Sequence, residues 1–267
     1  MVSNDDAIFN DVAKYIREHG YAVNFYTESE FVNSELSERN IFTMMRSTAA
    51  IKRLQEMEND GVRAVNSAFG IENCWRGNLT RTMMSAGIPH PGSLILRTDS
   101  DVETTALPQC FNHCWVKRAD SQPTGKNDVI YIDDICKLSK ALRECYDRGI
   151  AEVVVNAHLQ GDLIKFYGVR GSDFFYHFYP QVNTHSKFGL EKINGAPTGI
   201  PFNEEELRHI CSKTAERLNV HVYGGDCIVS PDGTIRIIDF NDWPSFSPCR
   251  DEAAVAIGDI IIKTLND

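Results

Sequence analysis

The 267-residue sequence predicts an α/β protein, α+β in its larger part, with a small parallel α/β unit at its N-terminus. Three observations predict this. Helix-period and strand-like runs alternate through about residue 90. The stretch Ala86-Gly-Ile-Pro-His-Pro-Gly92 then breaks any helix. Beyond it short strands dominate, and an Asp-Gly hairpin signal near the C-terminus gathers acidic residues.

The elements follow in order. Ile8, Val12, Tyr15 and Ile16 share a face of a helix over 5–19, with Gly20 as its stop. Tyr21–Tyr26 reads as a strand and Ile41–Met45 as a second apolar run. Thr48–Asn59 reads as a helix with Ile51, Leu54 and Met57 inward, and Val62–Val65 as a strand. Leu94–Arg97, Cys114–Arg118 and Val129–Ile132 are short strands, and Ile135–Arg148 is a helix. Glu152–Asn156, Leu163–Arg170 and the aromatic Phe174–Tyr179 are strands. Thr184–Pro201 is a long polar segment of the kind that carries function in compact domains. Asn203 opens a helix that buries Leu207, Ile210, Cys211, Thr214 and Leu218, and a last helix covers roughly 251–265.

Composition narrows the function. Lys plus Arg number 27 against 37 Asp plus Glu, a net charge of −10. That field opposes nucleic acid and anionic membrane surfaces. No apolar run reaches membrane-spanning length, and the N-terminus lacks the basic and apolar regions of a signal peptide. A cytoplasmic protein with reduced cysteines is expected. The eight cysteines form no Cys-x-x-Cys pair; Cys110 and Cys114 flank His113, without a second ligand pair to make a zinc site.

The chemistry concentrates at Asp226, Asp239 and Asn241. With Asp232-Gly233 as a two-residue loop, Val229 faces Arg236, Cys227 faces Ile238, and Asp226 faces Asp239. Asn241 lies two residues on, so it shares that face. A three-residue loop would shift the register by one and separate the acids. Two carboxylates and an amide oxygen suit Mg²⁺ held partly by phosphates. Lys117, alternating with Trp115 in an apolar strand, needs an anion to justify its position. Lys165, in Leu-Ile-Lys-Phe-Tyr, is a second such cation.

In their order and spacing these residues resemble the ATP-grasp superfamily over nearly the whole chain. Asn66-Ser67, Cys74-Trp-Arg76 and Ala86-Gly-Ile-Pro-His-Pro91 resemble the junction into the nucleotide clamp. Trp115-Val-Lys117 resembles the phosphate-lysine strand, and Ser121–Asp128 the loop covering the phosphates. Val153–Asn156 to Gly161 resembles the adenine hinge, and Asp226, Asp239 and Asn241 match the metal ligands. The resemblance implies an N-terminal domain over 1–92 and an ATP-grasp domain over 93–267. The latter divides into a smaller clamp lobe, about 105–158, and a C-terminal lobe, about 159–267.

It implies ATP and Mg²⁺ as cofactors. Arg76, Lys117, Lys126, Asn156, His158, Asp162 and Lys165 are implied nucleotide contacts, Asp162 through the ribose hydroxyls. Arg170, Lys187 and Asn194, with His185, fall where the superfamily places substrate and transition-state contacts. The sequence also departs from the pattern. The first phosphate-contacting lysine is absent, and Arg76 is the nearest cation. In the hinge stands Asn156-Ala-His158, and His158 reads equally as an adenine-stacking ring or a packed histidine. The covering loop carries a single glycine.

The implied activity is a carboxylate–amine (or thiol) ligase working through an acyl phosphate, on a small-molecule or peptide substrate. The alternatives are a small-molecule kinase resembling the inositol-phosphate kinases, and a nucleotide-binding regulatory module without turnover. No sequence feature identifies the substrate or the oligomeric state.

Overall fold

A computed structural model describes residues 7–119, 126–180 and 191–266. The chain opens with α1 (Ala7–Glu18), α2 (Glu28–Asn33), β1 (Asn40–Phe42), α3 (Thr48–Asn59) and β2 (Arg63–Val65), then α4 (Ala68–Asn73) and α5 (Arg76–Ala86). Next come β3 (Ser93–Arg97), β4 (Cys114–Arg118), β5 (Val129–Ile132), α6 (Leu138–Asp147) and β6 (Glu152–Ala157). The last part holds β7 (Asp162–Val169), β8 (Phe175–Phe178), α7 (Glu204–Leu218), β9 (Val222–Val229), β10 (Ile235–Asp242) and α8 (Arg250–Asn266).

Three sheets result. β1 and β2 pair in parallel, as the alternating pattern predicts. An antiparallel sheet runs β3-β6-β4-β5, and a second runs β10-β9-β7-β8. Tyr21–Tyr26 forms no strand, against the sequence expectation. Its polar groups find side-chain partners instead: Arg17 donates to the Val23 carbonyl, and Asn24 and Tyr26 donate to Glu38. A cavity of about 650 Å³, lined by Phe9, Tyr21, Phe25, Phe42, Met44 and Leu265 among others, opens beside this segment. It lies between the first 65 residues and the end of α8, away from the acidic pair. The helix α2 was overlooked in the sequence, although Thr27 and Glu30 form a reciprocal capping box at its start.

The core is shared along the chain. Ile8, Val12 and Ile16 of α1 pack with Ala253, Ile257 and Ile261 of α8, and Tyr15 donates to Asp259 at 2.7 Å. Leu207, Cys211 and Leu218 of α7 pack under Ile164, Phe166, Cys227 and Phe240. A third cluster holds α6 against the β3-β6-β4-β5 sheet through Leu138, Leu142, Val116, Val153 and Val155.

The hairpin of β9 and β10 reaches the expected pairing by an unexpected route. Ser230 N donates to Thr234 O at 2.9 Å and Gly233 N to Ser230 O at 2.8 Å, so Pro231, Asp232 and Gly233 form a three-residue loop. Gly233, at φ 81, takes the left-handed position that such loops require. Ile235 therefore faces Val229 and Ile237 faces Cys227, one residue off the expected register. A β-bulge between Ile237 and Asp239 then inserts one extra residue, and Asp239 faces Asp226 after all. Burial shows the same switch. Ile235 and Ile237 are buried before the bulge, Phe240 and Asp242 after it, with Ile238 and Asp239 both half-buried between them.

Gly224-Gly225 follows from this crowding. A Cβ on Gly225 would lie 2.2 Å from the Asp239 carbonyl oxygen and 2.7 Å from the Phe166 ring. Gly225→Ala is therefore expected to destabilise the fold by about 1–3 kcal/mol, the usual cost of overpacking. Urea unfolding would show a lower midpoint at unchanged slope; an unshifted midpoint would contradict the packing described.

Candidate functional site

Asp226 and Asp239 stand opposite one another on β9 and β10, and Asn241, two residues further on, shares their face. The repulsion expected of opposed carboxylates is met by three side-chain cations from three different elements. Lys165 on β7 faces Asp226 in register and bonds its Oδ1 at 3.0 Å. Arg76, the first residue of α5, bonds Asp239 Oδ1 at 3.2 Å. Lys117 on β4 donates its Nζ to the carbonyl of Ile238, the bulge residue, at 3.2 Å. The bulge thus sets the acid register and offers a carbonyl to the lysine that crosses from the neighbouring sheet.

The side chains are partly or wholly out of water. Lys117 is 8% exposed. Burial, with the nearby Arg76 charge, lowers its ammonium pKa to about 8, while Asp239 and Asp226 oppose the drop. Burial pushes the Asp239 carboxyl up. The charges of Arg76 and Lys117, a hydrogen bond with Asn241 and the charge of Lys165 outweigh burial and hold it below its ordinary value. Arg76 owes its place to Gly77, whose N–H donates to the Ala119 carbonyl at 3.0 Å and seats the start of α5 beside the end of β4. A Cβ on Gly77 would sit 3.0 Å from that same oxygen.

This donor set fits a hard divalent cation such as Mg²⁺. Its atoms are carboxylate and amide oxygens, and the ammonium and guanidinium groups on the carboxylates mark where positive charge is held. Among the described residues no three His, Cys, Asp or Glu side chains converge for a metal. A cation on Asp226, Asp239 and Asn241 would complete its shell with oxygens from its ligand, as Mg²⁺ does in phosphate sites.

The other expected contacts divide. Asn156 is buried on the sheet face that carries Lys117, and its amide donates to Ser93 Oγ at 2.8 Å. His158 accepts from Trp115 Nε1 at 3.1 Å and sits 5.3 Å from the Tyr131 ring, centroid to centroid. Burial, then the charge of His113, lowers its pKa, so the imidazole is neutral at pH 7. Asn194 ends a short 3₁₀ turn, Glu191–Asn194, packed beside β7. Lys126 begins another such turn, with its side chain outside the described residues. Lys187 and His185 lie outside them altogether.

Two more of the expected contacts are engaged within the fold. Asp162 is 3% exposed and points to the sheet face opposite Lys165, three residues along β7. Its carboxylate accepts from the N–H groups of Thr198, Gly199 and Ile200, each at 2.8 Å, and from Thr198 Oγ1 at 3.1 Å. It anchors that segment. Arg170 follows the far end of β7, about 17 Å along the strand from Lys165. It bonds the Val220 carbonyl at 2.9 Å and His221 Nε2 at 3.0 Å, which locks the ends of β7 and β9 together.

The sequence reading also missed two stitches around the site. Arg46 bonds the fully buried carboxylate of Asp242, next to Asn241, at 2.6 Å. Asn66, fully buried, donates to Val222 O and accepts from the N–H groups of His221 and Val222. No sequence signal marks a pair separated by 196 residues.

No protein-family profile matches the chain, and no curated protein matches it. Solved structures do. PsnB, an ATP-grasp ligase complexed with a minimal precursor, is 15% identical, with 98% of this chain and 96% of that chain covered and a TM-score of 0.64. The Bacillus anthracis D-alanine–D-alanine ligase complexed with ATP is 13% identical, covering 99% of this chain and 94% of that one at a TM-score of 0.66. PsnB with precursor peptide PsnA2 and AMPPNP gives 14%, 99%, 97% and 0.61 respectively. The chain has the ATP-grasp fold, and the structures it is similar to are an ATP-grasp ligase, PsnB, and D-alanine–D-alanine ligases. Among the described residues no helix is long and apolar enough to cross a membrane.

The bonds at Asp162 yield a test. Burial pushes its carboxyl up, but the bonds from Thr198, Ile200 and Gly199 hold it below the usual value. Its stabilisation is therefore complete above the unfolded pKa, near 4, and is lost as pH falls through the folded value. At pH 7 Asp162→Asn is expected to cost about 1–3 kcal/mol. In denaturant titrations the gap to wild type should narrow below about pH 4; a gap constant into acid would refute the assignment.

Proposed function

We propose that the protein is a Mg-ATP-dependent carboxylate–amine ligase acting on a peptide or small molecule. The observation that carries this reading is the convergence of Lys117, Lys165 and Arg76 on the Asp226–Asp239 pair, in a chain that matches ATP-grasp ligases over nearly its full length. Similar structures hold ATP, AMPPNP, or Mg with ADP, and the PsnB complexes include a precursor peptide.

Asp226, Asp239 and Asn241 would hold Mg²⁺. When bound, the ion would neutralise charge on the nucleotide's phosphate oxygens. Lys117, Lys165 and Arg76 would turn toward those oxygens and stabilise charge on the phosphoryl group in transfer. A substrate carboxylate would displace ADP from the γ-phosphoryl group, and an amine would then displace phosphate from the acyl carbon and give up a proton. Trp115 and His158, on the same sheet as Lys117, would flank the adenine, beside Asn156. Asn194 and Lys187 remain the residues assigned to the substrate and the transferred group. The division at residue 92, with a clamp lobe ending near 158, belongs to the same reading.

The test is ADP release from Mg-ATP in the presence of amino-acid, peptide or polyol pools. Release that requires both a carboxylate and an amine supports the ligase. Release with a polyol alone would make the protein a kinase, and tight binding without release a regulatory module. Asp239→Ala is expected to abolish Mg-dependent turnover.

Lys117 supplies a pH dependence. With a pKa of about 8 in the free protein, it gains a proton when phosphates settle beside it and raise that value. Nucleotide affinity should therefore fall as pH rises above about 8, with proton uptake on binding near that pH. Calorimetry in buffers of different ionisation heat measures the uptake, and Lys117→Met should abolish it. Equal heats in all buffers for wild type would count against the role.

A further inference from the structure

We infer that Arg76 and Lys165 act as internal counter-ions that reserve the acidic pair for a metal–nucleotide complex and exclude the bare metal. The inference rests on the ATP and Mg²⁺ reading above and adds the form in which the metal enters and the residues that decide it.

The geometry carries the argument. Each carboxylate already holds a cation: Lys165 on Asp226 at 3.0 Å, Arg76 on Asp239 at 3.2 Å. Lys117, one residue's carbonyl away on Ile238, adds a third positive charge. Among the described residues, Lys165, Arg76 and Lys117 thus set three cations around the two carboxylates. A bare divalent cation would have to displace both partners and leave them facing it, half-buried, with no anion to accept them. A metal arriving on nucleotide phosphates removes that obstacle. The phosphate oxygens take Arg76, Lys165 and Lys117 as the carboxylates take the metal, so no charge is stranded in either state.

Position makes the exchange local. Arg76 begins α5 and Lys165 lies in mid-strand on β7, so each changes partner by side-chain rotation while its backbone stays in a regular element. Arg76 holds Asp239 Oδ1 through Nη2 alone, and its planar fork suits a phosphate as well as a carboxylate.

The experiment follows Mn²⁺ binding by electron paramagnetic resonance, with the full chain, with and without saturating AMPPNP. Wild type should bind Mn²⁺ alone about tenfold or more weakly than with the nucleotide present. Arg76→Met and Lys165→Met should each strengthen binding of Mn²⁺ alone by about tenfold while weakening AMPPNP. Arg76→Lys, which keeps the charge, should restore the exclusion of bare Mn²⁺. Thermal unfolding confirms that each variant is folded. Equal affinity of wild type for Mn²⁺ with and without AMPPNP would overturn the proposal, as would methionine variants that bind bare Mn²⁺ no better. Failure of the ATP reading looks different: AMPPNP would bind neither with nor without Mn²⁺.

Discussion

The acidic site depends on one extra residue in β10. A three-residue loop alone would set Asp226 against Ile238 and place Asp239 on the core face. The bulge at Ile238 cancels that offset, and the arrangement of β10 beyond it follows: Asp239 opposite Asp226, Asn241 on the same face, Phe240 and Asp242 turned inward. Bulges bend a strand and leave a backbone group out of the ladder. Here the carbonyl of the inserted residue is where Lys117 makes its bond. One irregularity thus fixes the carboxylates and tethers the neighbouring sheet to them.

The site is also held from the N-terminal side. Arg46 reaches Asp242 directly after Asn241, and Glu28 accepts the N–H groups of Arg46 and Ser47, which fixes the loop that presents the arginine. Trp243 follows, buried, at φ 40, with its ring 5.5 Å from Phe9 and 6.3 Å from Phe42. A large side chain at positive φ is strained, and such strain persists only where surrounding packing enforces it. The end of β10 is therefore clamped between an ion pair and an aromatic plug, both supplied by the first 46 residues. That arrangement gives the acidic face a rigid floor while Lys117, Lys165 and Arg76 approach it from elsewhere.

Much of this was legible in the sequence, and the limits of legibility are physical. Local pattern located nearly every helix and strand, because periodicity and capping are written in neighbouring residues; Thr48–Asn59 is an α-helix over the expected span. Tyr21–Tyr26 failed because a strand needs a partner, and apolar alternation cannot say whether one is present. The acid pair was found although its loop was misread: two errors of one residue, in the turn and in the ladder, cancelled. Ile235, Ile237 and Phe240 do carry the trace of the bulge, since three buried residues at that spacing cannot share one face of a regular strand. Asp162 and Arg170 show a further limit, because a charged residue near a strand end reads the same whether it meets a ligand or its own backbone. Only the tertiary partners, Thr198 to Ile200 for one and His221 for the other, distinguish the two cases.

On the proposed reading, an arginine rather than a lysine at position 76 has a physical reason. A lysine offers a compact charge that an anion's hydration shell competes for, whereas a guanidinium is weakly hydrated and tolerates a half-buried ion pair. Arg76, 10% exposed and seated by Gly77 against Ala119, occupies such a place. Lys117, bound to the Ile238 carbonyl, links the β4 sheet to the β10 sheet. On the proposed reading, the groups that pair with the acids and those that would grip a ligand are the same three cations, so the strength of these pairs would set how strongly a ligand must compete for them.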